Sequence, residues 1–260
     1  MTLASDIVLA NRLADAAGAV IRPLFRATFA HEIKEDYSPV TEADCAAEEA
    51  MRHLLKVEAP GDGIIGEEYG SARLNASRHW VIDPIDGTVS FMSGRPIFGT
   101  LIALLQEGSP ILGVIDQPIS GERWVGAVGQ PTLFNNQPAR TRRCGYLADA
   151  VLAATGPHHF SDDDSKCFKA LASQTSRERI LFGGDCYNFG LLAIGNVDLV
   201  VEAGLKFHDF AALIPIVEGA GGTMCDWNGK PLHYGSEGRV IALGDTAHID
   251  RVIDLLKHCI

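Results

Sequence analysis

Two short apolar runs that each end on carboxylates constrain this chain more than any other feature. Gly63-Ile64-Ile65-Gly66 runs into Glu67-Glu68, and His79-Trp80-Val81-Ile82 runs into Asp83-Pro84-Ile85-Asp86-Gly87-Thr88. Short continuous apolar runs read as buried strands, so both acidic tails are predicted to reach one edge of a sheet. With 260 residues, the chain has enough apolar surface to bury such strands. Hard oxygen ligands gathered in such number suit Mg²⁺.

The rest of the chain supplies the layers around these strands. Leu3, Ile7, Ala10, Leu13, Ala14, Ala17, Val20, Ile21 and Leu24 recur at helical spacing, which predicts a long amphipathic first helix. A second helix is predicted from Thr41 to about Leu55, with Thr41 as N-cap and Asp44 in the capping-box position. Thr100–Leu105 and Ile111–Ile115 flank Gly108-Ser109 as a hairpin, and Arg123–Ala127 adds a strand. In the second half, Val151–Ala154, Ile180–Phe182 and Asp198–Val201 read as strands. Tyr187–Ile194, Ala211–Ala220 and Ala247–His258 read as helices, and Ser161–Asp164 as a solvated acidic loop. The sum is an α/β (α+β) chain of layered helices and sheets. A basic stretch from Pro138 to Cys144 marks the boundary between an N-terminal α+β domain, residues 1–140, and a C-terminal α/β domain, residues 141–260.

Charge narrows the function. A net charge of −11 argues against nucleic acid as a partner, because phosphate binding needs basic surface. An acidic protein that handles an anionic phosphate needs local cations. No apolar stretch approaches the ~20 residues of a membrane helix. The start, Met1 to Asp6, lacks the order of a secretory leader, and six scattered cysteines lack a C-x-x-C pair. Reduced thiols in a cytoplasmic protein are expected.

Taken singly, the acids have plain explanations. Asp-Pro and Asp-Gly form turns, Asp44 and Asp209 suit helix caps, and Glu67-Glu68 suits a strand end. The ordered set points further, to two cations about 3.5–4 Å apart that clamp an in-line displacement at phosphorus. That set resembles the inositol monophosphatase family. The matching pieces are Gly66-Glu67-Glu68, Trp80 to Thr88, and Asp209-Phe210-Ala211-Ala212 running to Gly219-Ala220-Gly221-Gly222. The resemblance spans essentially the whole chain. Two positions depart from the family pattern: Ser90 stands where Asn is usual, and His208 where Trp is usual.

The resemblance implies a layered α-β-α-β-α sandwich and two or three Mg²⁺ ions. Glu67, Asp83 and the Ile85 carbonyl would hold the first ion, and Asp83, Asp86 and Asp209 the second, with a weaker third near Glu67. Thr88, hydrogen-bonded to Asp44, would form the pair that orients and deprotonates the attacking water, with Glu67 also counted as catalytic. The Gly87 and Thr88 amides would receive phosphate oxygens. Lys34 either approaches the phosphate or is a solvated lysine. A homodimer is expected from the same likeness.

Specificity is expected from the second half. By resemblance the substrate-side acid is Glu202, seven positions before Asp209, and Gly183-Gly184-Asp185-Cys186-Tyr187-Asn188 adds a second. Two carboxylates facing the alcohol favour a cationic leaving group, although Asp185 also suits an N-cap. This part resembles the histidinol-phosphate phosphatases of the family, through Gly184-Asp185-Cys186-Tyr187, Glu202-Ala203-Gly204-Leu205-Lys206, Phe98–Leu105 and Ile111–Pro118. The expected substrate is the small phosphate ester L-histidinol phosphate, with inositol 1-phosphate or a bisphosphate nucleotide as alternatives. A catalytically silent phosphate-binding regulator is the reading from another class. His158, His159 and Asn188 are either pocket residues or loop side chains.

Overall fold

The computed structural model describes residues 2–27, 31–33 and 39–257, so Lys34 and His258 lie outside the described residues. Helix α1 (Leu3–Leu24) opens on a capping box between Thr2 and Ser5, and buries Leu9, Ala10, Leu13, Ala14, Ala17 and Ile21. A short antiparallel pair, β1 (His31–Ile33) and β2 (Pro39–Thr41), leads into α2 (Glu42–Glu58). Then come β3 (Gly63–Gly66), β4 (Ser71–Ala72), β5 (Arg78–Asp86) and the one-turn helix α3 (Thr88–Met92). Strands β6 (Gly99–Gln106), β7 (Ser109–Gln117), β8 (Glu122–Ala127), β9 (Leu133–Phe134) and β10 (Gln137–Pro138) complete an eight-stranded sheet of order β10-β9-β8-β7-β6-β5-β3-β4. Only its β3–β5 pairing is parallel.

The chain then builds β11 (Leu152–Ala154), α4 (Asp162–Ala172), β12 (Ile180–Phe182), α5 (Asp185–Ala193) and β13 (Leu199–Glu202). After these come α6 (Phe207–Phe210), α7 (Leu213–Gly219), β14 (Thr223–Asp226), β15 (Val240–Leu243) and α8 (Ile249–Lys257). The second sheet has five strands, ordered β12-β11-β13-β15-β14.

Three apolar cores glue five layers, α-β-α-β-α. Helices α1 and α2 bury Leu13, Ile21, Met51 and Leu55 against Trp80, Ile82, Ile102 and Leu104 of the large sheet. Phe189, Leu192, Leu213 and Ile216, from α5 and α7, fill the space between the sheets. The outer face of the small sheet packs Leu152, Leu199 and Ile241 on Phe168, Leu171, Val252 and Leu256 of α4 and α8. Alternation explains the shared strands: Leu199 and Val201 face outward, while Val200 faces the middle layer. The middle layer sits close because Gly113 and Gly126 are cross-strand partners beneath α7. A Cβ on Gly113 would stand 1.9 Å from the Ala212 carbonyl oxygen, and one on Gly126 2.4 Å from that of Pro215.

Several local expectations change. The hairpin turns on Glu107 and Gly108, whose φ of 49° and 80° suit a primed turn, and not on Gly108-Ser109. Ser161, Asp162 and Asp163 are exposed as expected, but the segment is no loop: Ser161 caps α4, and buried Asp164 accepts from Arg239 at 2.8 Å. Acids at a helix N-terminus are favoured by its dipole, so an acidic run is compatible with ordered structure there. The helix expected over 211–220 is α7, Leu213–Gly219, and it is preceded by the separate short helix α6, in which Asp209 holds the third position and not the cap. Among the described residues no helix is long and apolar enough to cross a membrane.

Candidate active site

Regular strand geometry would separate Asp83 from Asp86, because residues three apart point to opposite faces. Strand β5 does not end at Ile82; it continues through Asp86, and its pairing with β6 shifts register between these two aspartates. Pro84 sits inside the irregularity, where a missing N–H costs the ladder nothing, and its carbonyl accepts the buried Thr100 hydroxyl at 2.7 Å. This bulge turns both carboxylates into one cluster. Gly87 then leaves the strand at φ 91°, a left-handed conformation that favours glycine, and opens α3.

Glu67 comes from the neighbouring strand end, and α2 fixes the loop that carries it. Buried Glu48 accepts from the amides of Glu68 (2.7 Å) and Tyr69 (3.1 Å), and from Arg52 at 2.7 Å. Asp209 arrives from α6, with one oxygen accepting the Lys206 amide at 2.7 Å.

Two ligand triads result: Glu67, Asp83 and His208, and Asp83, Asp86 and Asp209, the atoms of each lying within 4.8 Å of one another. Asp83 belongs to both. Its Oδ1 is buried without a hydrogen-bond partner, an arrangement that is costly for a lone carboxylate. Burial, followed by the charges of Glu67, Asp86 and Asp209, holds the Asp83 carboxyl well above the usual range. Burial, then Asp185 and Asp209, does the same to Asp86. Such a set is unstable as bare anions and suits divalent cations with oxygen ligands. The chemistry of the donors therefore fits Mg²⁺.

Glu67, Asp86 and Asp209 line a cleft of about 440 Å³ that also takes in Asp185, Glu202, Arg95, His158 and His159, while Asp83 is buried behind them. Asp185 is not the cap of α5. Gly184 holds that place, while Asp185 adopts φ 43° as the first helical residue. Its carboxylate accepts the Ser90 hydroxyl at 3.1 Å and lies against Gly87, where a Cβ would meet its Oδ2 at 2.6 Å. The next amide, of Cys186, donates to Asp86 at 2.6 Å, so the start of α5 joins the substrate side to the carboxylate floor. Glu202 ends β13 with only 1% of its surface exposed. One oxygen accepts the Thr155 amide (2.6 Å) and hydroxyl (2.9 Å), while Oε2 is buried without a partner. Burial pushes Glu202 up to about 8.

Asp44 is buried in the first turn of α2. The Thr88 hydroxyl donates to the Ile85 carbonyl at 3.2 Å and not, as expected, to Asp44. His158 and His159 line the cleft with ring centroids 4.2 Å apart, and Asn188 donates to the Gly183 carbonyl at 3.0 Å. Residues given no role in the sequence also take part: Glu48, Ser90, Arg95 and His208. Glu48 was open to detection, since it lies four positions after Asp44 on the same helical face. Ser90 and His208 were visible as departures from a family pattern, whereas Arg95 carried no local signal.

Comparison with known proteins agrees with this geometry. The sequence profile of the inositol monophosphatase family matches residues 3–260. The bifunctional phosphatase IMPL2 of Arabidopsis thaliana, a chloroplastic protein, is 49% identical over 234 residues, which is 89% of this chain and 67% of that protein. The histidinol-phosphatase of Chlorobaculum parvum is 36% identical over 91% of this chain and 92% of its own length. A solved structure of an inositol monophosphatase from Zymomonas mobilis superposes with a TM-score of 0.90 at 51% identity, covering 99% of each chain.

Proposed function

The chain belongs to the inositol monophosphatase family, and on that premise we propose that it is a Mg²⁺-dependent phosphomonoester hydrolase acting on L-histidinol phosphate. The observation that carries the reaction is the pair of triads that share buried Asp83 and whose Glu67, Asp86, His208 and Asp209 line the cleft. Mg²⁺ held there supplies Lewis-acid polarisation of phosphoryl oxygens and a lowered pKa for water. Glu67, Asp83, Asp86, Asp209 and the Ile85 carbonyl would be its ligands.

The chain's own groups do the positioning. The Gly87 and Thr88 amides, at the start of α3, receive phosphate oxygens. The Thr88 hydroxyl turns from the Ile85 carbonyl to orient the attacking water, accepts its proton and passes its own toward Asp44. Displacement is in line, and no residue forms a covalent phosphoenzyme.

Asp185 and Glu202 select the leaving alcohol. Both carboxyls are raised by burial, and each lies in the same cleft as the triads. An ammonium or imidazolium group at this end compensates them, as it could not compensate a neutral pocket. Relatives described as histidinol-phosphatases support this choice. A polyol phosphate is the second reading. A Glu202 carboxyl held up to about 8 can donate to a hydroxyl, and the 51%-identical Zymomonas protein is described as an inositol monophosphatase.

The test is phosphate release from L-histidinol phosphate and from inositol 1-phosphate, each with Mg²⁺ and with EDTA. Faster Mg²⁺-dependent turnover of L-histidinol phosphate is expected. Preference for inositol 1-phosphate would defeat the argument from Asp185 and Glu202, and turnover undiminished in EDTA would defeat the metal reading.

A further inference from the structure

His208 enters one of the two triads, and the reading above leaves it without a role. Its Nε2 lies 3.8 Å from Glu67 Oε1 and 3.3 Å from Asp209 Oδ1, and the imidazole keeps only 14% of its side chain exposed. Nε2 is itself buried, and a ring nitrogen of His208 lies within 4.8 Å of a carboxylate oxygen of Glu67 and one of Asp83. Ligand atoms about 2.0–2.2 Å from one ion lie at most about 4.4 Å apart. The observed separations, within 4.8 Å, therefore need closure by only a few tenths of an ångström. Trp, usual here in the family that the sequence resembles, offers a single N–H donor and no lone pair. An imidazole offers a nitrogen ligand.

We propose that His208 Nε2 is a ligand of the cation held by Glu67 and Asp83, giving a mixed nitrogen–oxygen site that accepts transition divalent cations such as Mn²⁺ better than an all-oxygen site. This rests on the metal-centre reading above. Mg²⁺ is hard, keeps its waters and gains little from imidazole, whereas first-row transition ions gain more from nitrogen. The cleft would then pair one histidine-containing cation site with one of carboxylates alone, joined through Asp83.

The experiment is pulsed EPR on the full chain loaded with Mn²⁺, with and without ¹⁵N-histidine labelling, beside titration calorimetry for Mn²⁺ and Mg²⁺. Wild type should show the hyperfine coupling of a directly bound imidazole nitrogen, replaced by the ¹⁵N pattern on labelling. His208→Phe should lose that coupling, as should His208→Gln, which tests the result should the ring replacement fail to fold. The Mn²⁺ Kd should rise at least about tenfold, and the Mg²⁺ Kd by less, because water takes the vacated position. A purely positioning histidine would leave no such coupling. Mn²⁺ bound without nitrogen coupling in wild type, or coupling that persists in both variants, overturns the proposal. Failure of either ion to bind at all overturns the metal-centre reading with it.

Discussion

Replacing Glu202 with Gln separates the ionisation of this buried acid from its shape. Both side chains keep an oxygen for the Thr155 amide and hydroxyl. Burial raises the carboxyl from 4.5 to about 8, so the folded state favours the protonated form. Its contribution to stability is fully present below about pH 4.5, declines as pH rises, and is gone above about pH 8. At 1.36 kcal/mol per pH unit, that window has a ceiling of about 5 kcal/mol. Water entering from the cleft lowers this, and on the order of 2 kcal/mol corresponds to about 4–8 °C in Tm. The unpaired Gln amide costs about 1–3 kcal/mol, but equally at every pH. The assay is thermal unfolding of both proteins in EDTA from pH 4.5 to 9. Wild type should lose Tm relative to E202Q across the window, by at least about 4 °C in total. Parallel curves would refute the reasoning, because they would mean that Glu202 ionises in the fold as it does in the unfolded chain.

The same physics sets the remaining expectations. Asp83→Asn removes the shared ligand: turnover should fall at least about 10²-fold with loss of divalent-cation binding in calorimetry, while Tm in EDTA rises because one repelling buried acid is gone. Adding Mg²⁺ to wild type at about 100 times its Kd should raise Tm by about 5–10 °C, and Asp83→Asn should show no such rise. Asp185→Asn should raise KM for L-histidinol phosphate about tenfold or more, with a smaller change for inositol 1-phosphate, measured by phosphate release. Gly113→Ala forces a methyl into the Ala212 carbonyl, so denaturant unfolding should show a loss of about 1–3 kcal/mol or more.

What was legible in the sequence was local. The apolar runs leading to Glu67 and Asp83 appear as neighbouring parallel strands, although the second runs on through Asp86, because short β-branched and aromatic runs have few alternatives to a buried strand. The long first helix follows its apolar spacing almost residue for residue. Strands β14 and β15 went unassigned: Met224-Cys225 is too short to carry a pattern, Val240-Ile241-Ala242-Leu243 is an apolar run of the kind read as a strand elsewhere, and the two pair with each other and, through β15, with β13. The bulge at Pro84 was equally hidden, although it is what gathers Asp83 and Asp86. Asp185 illustrates the same limit. Its identity suited a cap, but a left-handed backbone at Asp185 and the Ser90 hydroxyl turn its carboxylate toward Gly87.

The central claim is tested most directly by one measurement: anomalous diffraction from crystals of the full chain soaked with Mn²⁺, phosphate and L-histidinol. The account predicts two metal peaks that share Asp83, with phosphate beside the Gly87 and Thr88 amides and the ammonium or imidazole of the alcohol against Asp185 and Glu202. Metal peaks away from Asp83, or an alcohol bound outside the reach of both acids, would contradict it.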